Sequence, residues 1–303
     1  MLSLEPGRIL LAFSGGPDSA GLALRLRERA PLLAYVDHRL RGVRASRMER
    51  ERVRAIAARL GLELVRTRVS PAGPSEAAAR TARYAALEAL ARKHRCTALA
   101  TAHTADDRAE TILLNLLRGC GLRGLAALGP SVVIRGVARL RPVLGERRVD
   151  LRRDAARLEP AFDPSNRSTG PARGRTRALL LPALAVHLGE DPVPILCALG
   201  DLAAEVRAAL EGRASHLARA ADRRRLLAES PATFPYLVEA LRPDGPPLTS
   251  KAYGSLRDFL RAGRGNRDHV TPGGEAWRLA AGGRIRISPR DSFPDPRRRR
   301  SCP

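Results

Sequence analysis

"LLAFSGGPDSAGLALRL", Leu10–Leu26, decides the reading of this chain. Apolar residues lead into Ser-Gly-Gly-Pro-Asp-Ser, and a periodic apolar stretch follows. The segment therefore reads as strand, turn and helix. A plain connection does not require that turn composition. Gly15 and Gly16 lack a Cβ and let an anion approach the backbone. Pro17 suits the first turn of a helix, where its missing N–H costs nothing. Ser14 and Ser19 add hydroxyl donors. The N–H groups and dipole at the helix start complete an anion site. Asp18 is out of place beside a phosphate unless a divalent cation stands between them. The G-x-x-x-x-G-K-[ST] pattern is absent, so this is not a Walker loop. The plain alternative is an ordinary turn between strand and helix.

The first half of the chain alternates in the same way. Strands are predicted at Arg8–Phe13, Leu32–Val36, Leu62–Val69 and Thr97–Thr101. Helices are predicted at Ser19–Arg29, Ser46–Leu60, Ser75–His94 and Ala105–Leu117. Such alternation gives an α/β fold with a doubly wound parallel sheet. In that fold ligands sit beyond the C-terminal ends of the strands. Ser14, Asp37 and His103 each follow or end a predicted strand and are expected to face one crevice.

After Gly119 the pattern changes. "RGCGLRGLAALG", Arg118–Gly129, reads as a loop. Helices are expected near Val149–Leu158 and at Gly174–His187, Pro194–Ala228 and Thr249–Ala262, with short strands and glycine turns over His269–Ile287. "GEDPVP", Gly189–Pro194, is the candidate boundary. The expected organisation is an α/β catalytic domain over 1–190 and a smaller, mostly helical domain with short strands over 191–288. A basic tail over 289–303, containing "DPRRRR", reads as disordered.

Composition narrows the partner. The 303 residues are 44% hydrophobic, enough for a large core, yet carry a formal net charge of +23. That field favours a polyanion, with RNA the natural choice. Aromatics are only 3%, which argues against binding by extensive base stacking. Cys96, Cys120, Cys197 and Cys302 are widely spaced, and no C-x-x-C occurs. The sequence shows neither a signal-peptide pattern nor a long apolar stretch, and the expected location is the cytoplasm.

Four further constellations carry chemistry. "VDHRLR", Val36–Arg41, places Asp37 at a strand end, suited to accept hydrogen bonds from a nucleoside. "EAAARTARYAAL" sets Arg80, Arg83 and Tyr84 on one helix face, as a grip on phosphate or base or simply as a surface face with Tyr84 in the core. "TAHTADDRAET", Thr101–Thr111, puts Asp106 and Asp107 in a first helical turn, with Glu110 one turn on. These carboxylates are either an ordinary acidic N-terminus or, with Asp18, a magnesium site. His103 stands beside them to orient the reacting group or stabilise charge. "FDPSNRSTGPARGRTRALLLPAL", Phe162–Leu184, carries Asn166, Arg167, Arg173, Arg175 and Arg177, suited to RNA phosphates.

Ser14–Ser19 resembles the SGGxDS loop of the PP-loop ATP pyrophosphatases. The ordered run SGGPDS, VDHRLR, AARTARY, AHTADDRAETILLNLLRGCGLRGL, RPVL and DPSNRSTGPARGRTR resembles the bacterial tRNA(Ile)-lysidine synthetase family over most of the chain, with weaker similarity through Ile287. That resemblance implies an adenine nucleotide alpha hydrolase-like fold and a ligase that uses ATP and Mg²⁺. Its partners would be a tRNA(Ile) with a CAU anticodon and free L-lysine. ATP would adenylate the C2 oxygen of the wobble cytidine with release of pyrophosphate, and the lysine ε-amino group would then displace AMP. Ser14, Gly15, Gly16, Pro17, Asp18 and Ser19 would hold ATP, and Asp18, Asp106 and Asp107 the metal. Asp18, Asp37, His103, Asp106 and Asp107 are the catalytic candidates. Arg80, Arg83, Tyr84, Arg173, Arg175 and Arg177 would contact the tRNA, and Glu110 the lysine ammonium.

The chain departs from the family pattern in places. Arg39 stands for a common Gly, Thr104 for a frequent second His, and Gly174 and Thr176 interrupt an R-N-R-x-R pattern. An extra C-terminal domain of longer members is not evident, which would leave more of the tRNA recognition to the second domain and tail. Two alternatives stay open: a tRNA thiolase of the same superfamily, and a non-catalytic basic RNA-binding protein. A homodimer is the assembly left open.

Overall fold

The computed structural model describes residues 7–37, 43–69, 73, 76–134, 136–160, 172–218, 223–242, 248–263, 268–271, 274–279 and 285–289. Its first six strands are β1 (Ile9–Ala12), β2 (Leu32–Asp37), β3 (Leu64–Arg68), β4 (Ala98–Ala100), β5 (Ser131–Ile134) and β6 (Val137–Leu140). They form one sheet in the order β3-β2-β1-β4-β6-β5. All neighbours are parallel except β5, which pairs antiparallel with β6. Between and after the strands run α1 (Pro17–Arg25), α2 (Val43–Leu60), α3 (Glu76–Lys93), α4 (Ala105–Leu117), α5 (Leu122–Leu125) and α6 (Arg148–Ala155). The order reverses at β1 and β4, so the crevice of a doubly wound sheet opens beyond their C-terminal ends.

Side-chain alternation along β1 explains the two layers. Ile9, Leu11 and Phe13 enter one core with Leu22, Val53, Ile56 and Leu151 from α1, α2 and α6. Leu10 points the other way and packs with Leu32, Leu99, Tyr84, Leu87 and Leu90, the last three from α3. Strands buried on both faces read as near-continuous apolar runs, which is how β1 and β2 appear in sequence.

Several elements were not legible as such, β6 among them. β5 is a four-residue edge strand whose Val132 and Val133 are exposed, so burial leaves no pattern in it. Gly136, at φ +76°, lies in the tight connection to β6. The short α5 lies inside the Gly-rich stretch expected to be a loop. Residues Thr176–Leu180, within the expected helix, form a π-helical turn between α7 (Ala172–Arg175) and α8 (Leu181–Leu188). The expected long helical region becomes α9 (Pro192–Ala218) and α10 (Arg223–Ala228), followed by α11 (Phe234–Ala240), which has only seven residues and a proline in its first turn.

The chain divides into two compact units, 1–204 and 205–303. The division lies inside α9 rather than at Gly189–Pro194, because Val193 and Leu196 of α9 pack with Ile112 and Leu113 of α4. In the second unit, α12 (Ser250–Ala262) and a three-stranded antiparallel sheet of β7 (Asp268–Val270), β8 (Glu275–Leu279) and β9 (Ile285–Pro289) enclose a core around Phe234, Leu256 and Trp277. His38–Arg41, Asn166, Arg167 and the tail beyond 289 lie outside the described residues. Among the described residues no helix is long and apolar enough to cross a membrane.

Gly21 sets the distance between α1 and α6. A Cβ built on it would stand 2.5 Å from the Leu151 carbonyl oxygen and 2.6 Å from Leu151 Cγ. Backbone cannot yield as a flexible side chain does, so Gly21→Ala should destabilise the chain by about 1–3 kcal/mol in urea unfolding. An unchanged midpoint would show that α6 is not held at this spacing.

Candidate active site

The loop after β1 is built as its composition requires. Gly15 adopts φ +74°, and a Cβ there would lie 2.7 Å from Val53 Cγ2. Gly16 is the extended N-cap of α1 and Pro17 occupies its first turn; among the described residues no side chain caps this helix. The Ser14 hydroxyl accepts from the Gly16 N–H at 3.3 Å, and Ser19 Oγ donates to the Gly16 carbonyl at 3.0 Å. The two hydroxyl oxygens stand 3.1 Å apart. The positive end of the helix dipole therefore faces outward from a loop braced by its own serines.

Beyond β4, the loop and α4 supply the carboxylates, and α6 supplies the cations. Thr104 is the N-cap of α4 and shares a reciprocal capping box with Asp107. The Thr104 N–H donates to Asp107 Oδ2 at 3.0 Å. Arg148 donates to Asp107 Oδ1 at 2.8 Å and to Glu110 Oε1 at 3.0 Å, and its Nε is 3.8 Å from Asp18 Oδ2. Arg152 grips Asp18 at 2.6 Å and 3.2 Å. Asp106 accepts from the Arg148 N–H at 2.7 Å and from the Arg147 guanidinium at 3.1 Å. Glu110 has no exposed surface. Besides Arg148 it receives Arg177 at 2.7 Å and 3.0 Å, and Arg173 stands 3.4 Å away. Arg173 also donates to Thr111 Oγ1 at 2.6 Å.

Burial alone would raise the carboxyl groups of Asp106 and Asp107. Arg147 and Arg148 on Asp106, and Arg148 with the Thr104 N–H on Asp107, outweigh it and hold both below their usual range. The same carboxylates push the Arg148 guanidinium upward despite its burial. All these groups stay charged at neutral pH.

The remaining candidates occupy neighbouring positions. His103 Nδ1 lies 2.9 Å from Thr101 Oγ1. Its imidazole is pushed down to about 4, chiefly by burial; Asp107 pulls the other way, and Arg141, Arg80 and Arg173 add to the drop. Tyr84 is buried in the core behind α3, and Arg139, Arg80 and Arg83 stand 4.1, 5.1 and 5.6 Å from its ring centre. Asp37 is buried at the end of β2 and accepts from Arg50 at 3.0 Å. Arg175 lies on the exposed side of α7.

Residues 2–184 match the family model of the PP-loop domain, ATP_bind_3. The tRNA(Ile)-lysidine synthase of Novosphingobium aromaticivorans is 40% identical over 231 residues, 69% of this chain and 70% of that protein. The chain belongs to the PP-loop family of tRNA(Ile)-lysidine synthases. A second member, from Salinispora tropica, is 42% identical over 222 residues, 70% of this chain and 66% of that protein. The U34-tRNA thiolase NcsA from Methanococcus maripaludis, solved with its [4Fe-4S] cluster, superposes with a TM-score of 0.54 at 17% identity, covering 66% of this chain and 72% of that one. That likeness is one of fold.

A magnesium site made by the carboxylates of this family member does not fit the arrangement. Among the described residues no group of three or more His, Cys, Asp or Glu side chains is placed to hold a metal ion. Arg148 stands between Asp18 and Asp107, Arg152 covers Asp18, and Asp107 is turned back onto Thr104 as a helix cap. The expected metal ligands are thus brought to one surface but are engaged by arginines. Glu110, expected to meet a lysine ammonium, sits beneath that surface and is surrounded by Arg148, Arg173 and Arg177.

Sequence reasoning missed Arg147, Arg148 and Arg152. "GERRVDLRRD", Gly145–Asp154, did hold a signal: Arg148 and Arg152 are four apart and fall on one helix face. Thr104, noted only as a departure from the family, is the cap that starts α4.

The low-lying imidazole makes a testable demand. The unfolded chain takes up a proton on His103 near about pH 6.5, whereas the folded chain does so only near pH 4. Unfolding therefore binds a proton between these values, and stability should fall as pH drops through that window. The urea midpoint should decrease from about pH 7 to about pH 5, and His103→Gln should show a smaller decrease. Equal decreases in both proteins would contradict this placement of the ring.

Proposed function

We propose that this chain is a tRNA(Ile)-lysidine synthetase, a ligase that forms a carbon–nitrogen bond with conversion of ATP to AMP and pyrophosphate. The observation that carries the reading is the position of the Ser14–Ser19 loop. It starts α1 at the strand ends where Asp37, His103 and the α4 N-terminus also lie, in a chain 40% identical to a synthase of that name. The substrates are a tRNA(Ile) with a CAU anticodon, ATP and free L-lysine.

In this reading Ser14, Gly15, Gly16, Pro17 and Ser19 receive the ATP phosphates. Asp18 orients Arg152 toward the same place. Adenylation of the cytidine C2 oxygen creates a good leaving group, so positioning and charge stabilisation are the main demands. Arg80 and Arg83 hold the target nucleotide by its phosphate, His103 contacts the cytosine, and Asp37 accepts from the nucleoside. Arg173, Arg175 and Arg177 lead the tRNA backbone in. Asp106, Asp107 and Glu110 fix the arginines, and the attacking ε-amino group approaches along the outer edge of that network. The net charge of +23 supports a polyanionic substrate.

Mass analysis of nucleosides after incubation with tRNA, ATP and lysine tests the reading. The expected outcome is lysidine with an equal amount of pyrophosphate. Asp18→Ala should lower pyrophosphate release at least ~100-fold with the circular dichroism spectrum unchanged. A sulfur-containing nucleoside, or RNA binding with no ATP turnover, would overturn it.

A further inference from the structure

Between β4 and α4, Thr101 ties two strands to the imidazole of His103. Thr101 is 7% exposed. Its N–H donates to the Leu140 carbonyl, at the end of β6, at 3.0 Å. Its Oγ1 stands 3.3 Å from the same carbonyl and 2.9 Å from His103 Nδ1. A hydroxyl carries one proton and two lone pairs. If the proton goes to Leu140, Oγ1 accepts from an Nδ1–H. If it goes to the imidazole, the ring proton must sit on Nε2.

Geometry decides between the two. The Leu140 carbonyl has no proton to give, so the Thr101 hydroxyl 3.3 Å away donates to it, and two oxygens at that distance with no proton between them would repel. With its proton on Leu140, Oγ1 accepts from the Nδ1–H of His103. The ring nitrogen that Thr101 does not touch is Nε2. We propose that Thr101 is a positioning residue that holds His103 in the Nδ1–H tautomer, so that an Nε2 lone pair reads the 4-amino group of cytosine and rejects uracil. Cytosine donates from that amino group, whereas uracil offers an accepting O4 at the same position, and two acceptors repel. The nucleobase half of the inference rests on the lysidine synthetase reading; the tautomer half does not.

Long-range proton–nitrogen NMR on the full chain with isotope-labelled histidine tests the tautomer. The wild type should show His103 Nδ1 protonated and Nε2 unprotonated. Thr101→Ser should keep that pattern, and Thr101→Val should shift it toward the Nε2–H form. An unprotonated Nδ1 in the wild type overturns the inference, and this spectrum decides it even if the valine variant does not fold. The second measurement is competition between tRNAs carrying C or U at the wobble position. Thr101→Val should reduce the preference for C on the order of tenfold, and Thr101→Ser should restore it. A folded Thr101→Val with a shifted tautomer and an unchanged preference overturns the base-reading role. A wild type that modifies neither tRNA overturns the lysidine reading and the base-reading role with it, while the spectrum still decides the tautomer.

Discussion

Glu110 is the constraint around which the site is arranged. Its carboxylate has no exposed surface, and taking such a group out of water is costly unless hydrogen-bonding cations are brought to it. Arg148 from α6 and Arg177 from the π-helical turn do so directly, and Arg173 from α7 stands at salt-bridge distance. Two separate chain segments, α6 and the continuous 172–180 stretch, are therefore bound to one position on α4. Arg148 carries the constraint further, because the same guanidinium reaches Asp107 and approaches Asp18 of α1. The phosphate-loop helix, the His103 loop and the basic 172–180 segment share one charged joint.

That joint explains two local features. The capping box of Thr104 and Asp107 turns Asp107 toward its own helix start, which leaves one oxygen for Arg148. The π-helical turn at Thr176–Leu180 inserts its irregularity where Arg177 must reach Glu110, a position typical of such turns at functional sites. The arginine excess of the chain is thus partly internal. Several guanidiniums hold carboxylates in place, among them Arg147, Arg148, Arg152 and Arg177.

The alternation of β1 to β4 with α1 to α4 was legible because short apolar runs alternate with longer stretches of helical period. β1 and β2 are continuous apolar runs, α4 opens on the adjacent carboxylates of Asp106 and Asp107, and the loop between β1 and α1 declares itself by glycine, proline and serine. β5 was not legible, since an exposed edge strand of four residues has no buried face to encode. The positions of Ser14, Asp37 and His103 at strand ends followed from topology alone. The arginine partners did not, because Arg148 and Glu110 are 38 residues apart and only the fold brings them within 3.0 Å. A sequence shows a carboxylate and its spacing; whether a cation side chain or a metal neutralises it depends on which distant helix packs there.

The central claim is that Glu110 acts as a buried anchor for arginines. The most direct measurement is the unfolding free energy of Glu110→Ala against wild type in urea. Removing the carboxylate leaves Arg148 and its neighbours partly buried without their shared counter-charge, and the account predicts a loss of about 3–5 kcal/mol. A loss below about 1 kcal/mol, in the range of an exposed ion pair, would contradict it.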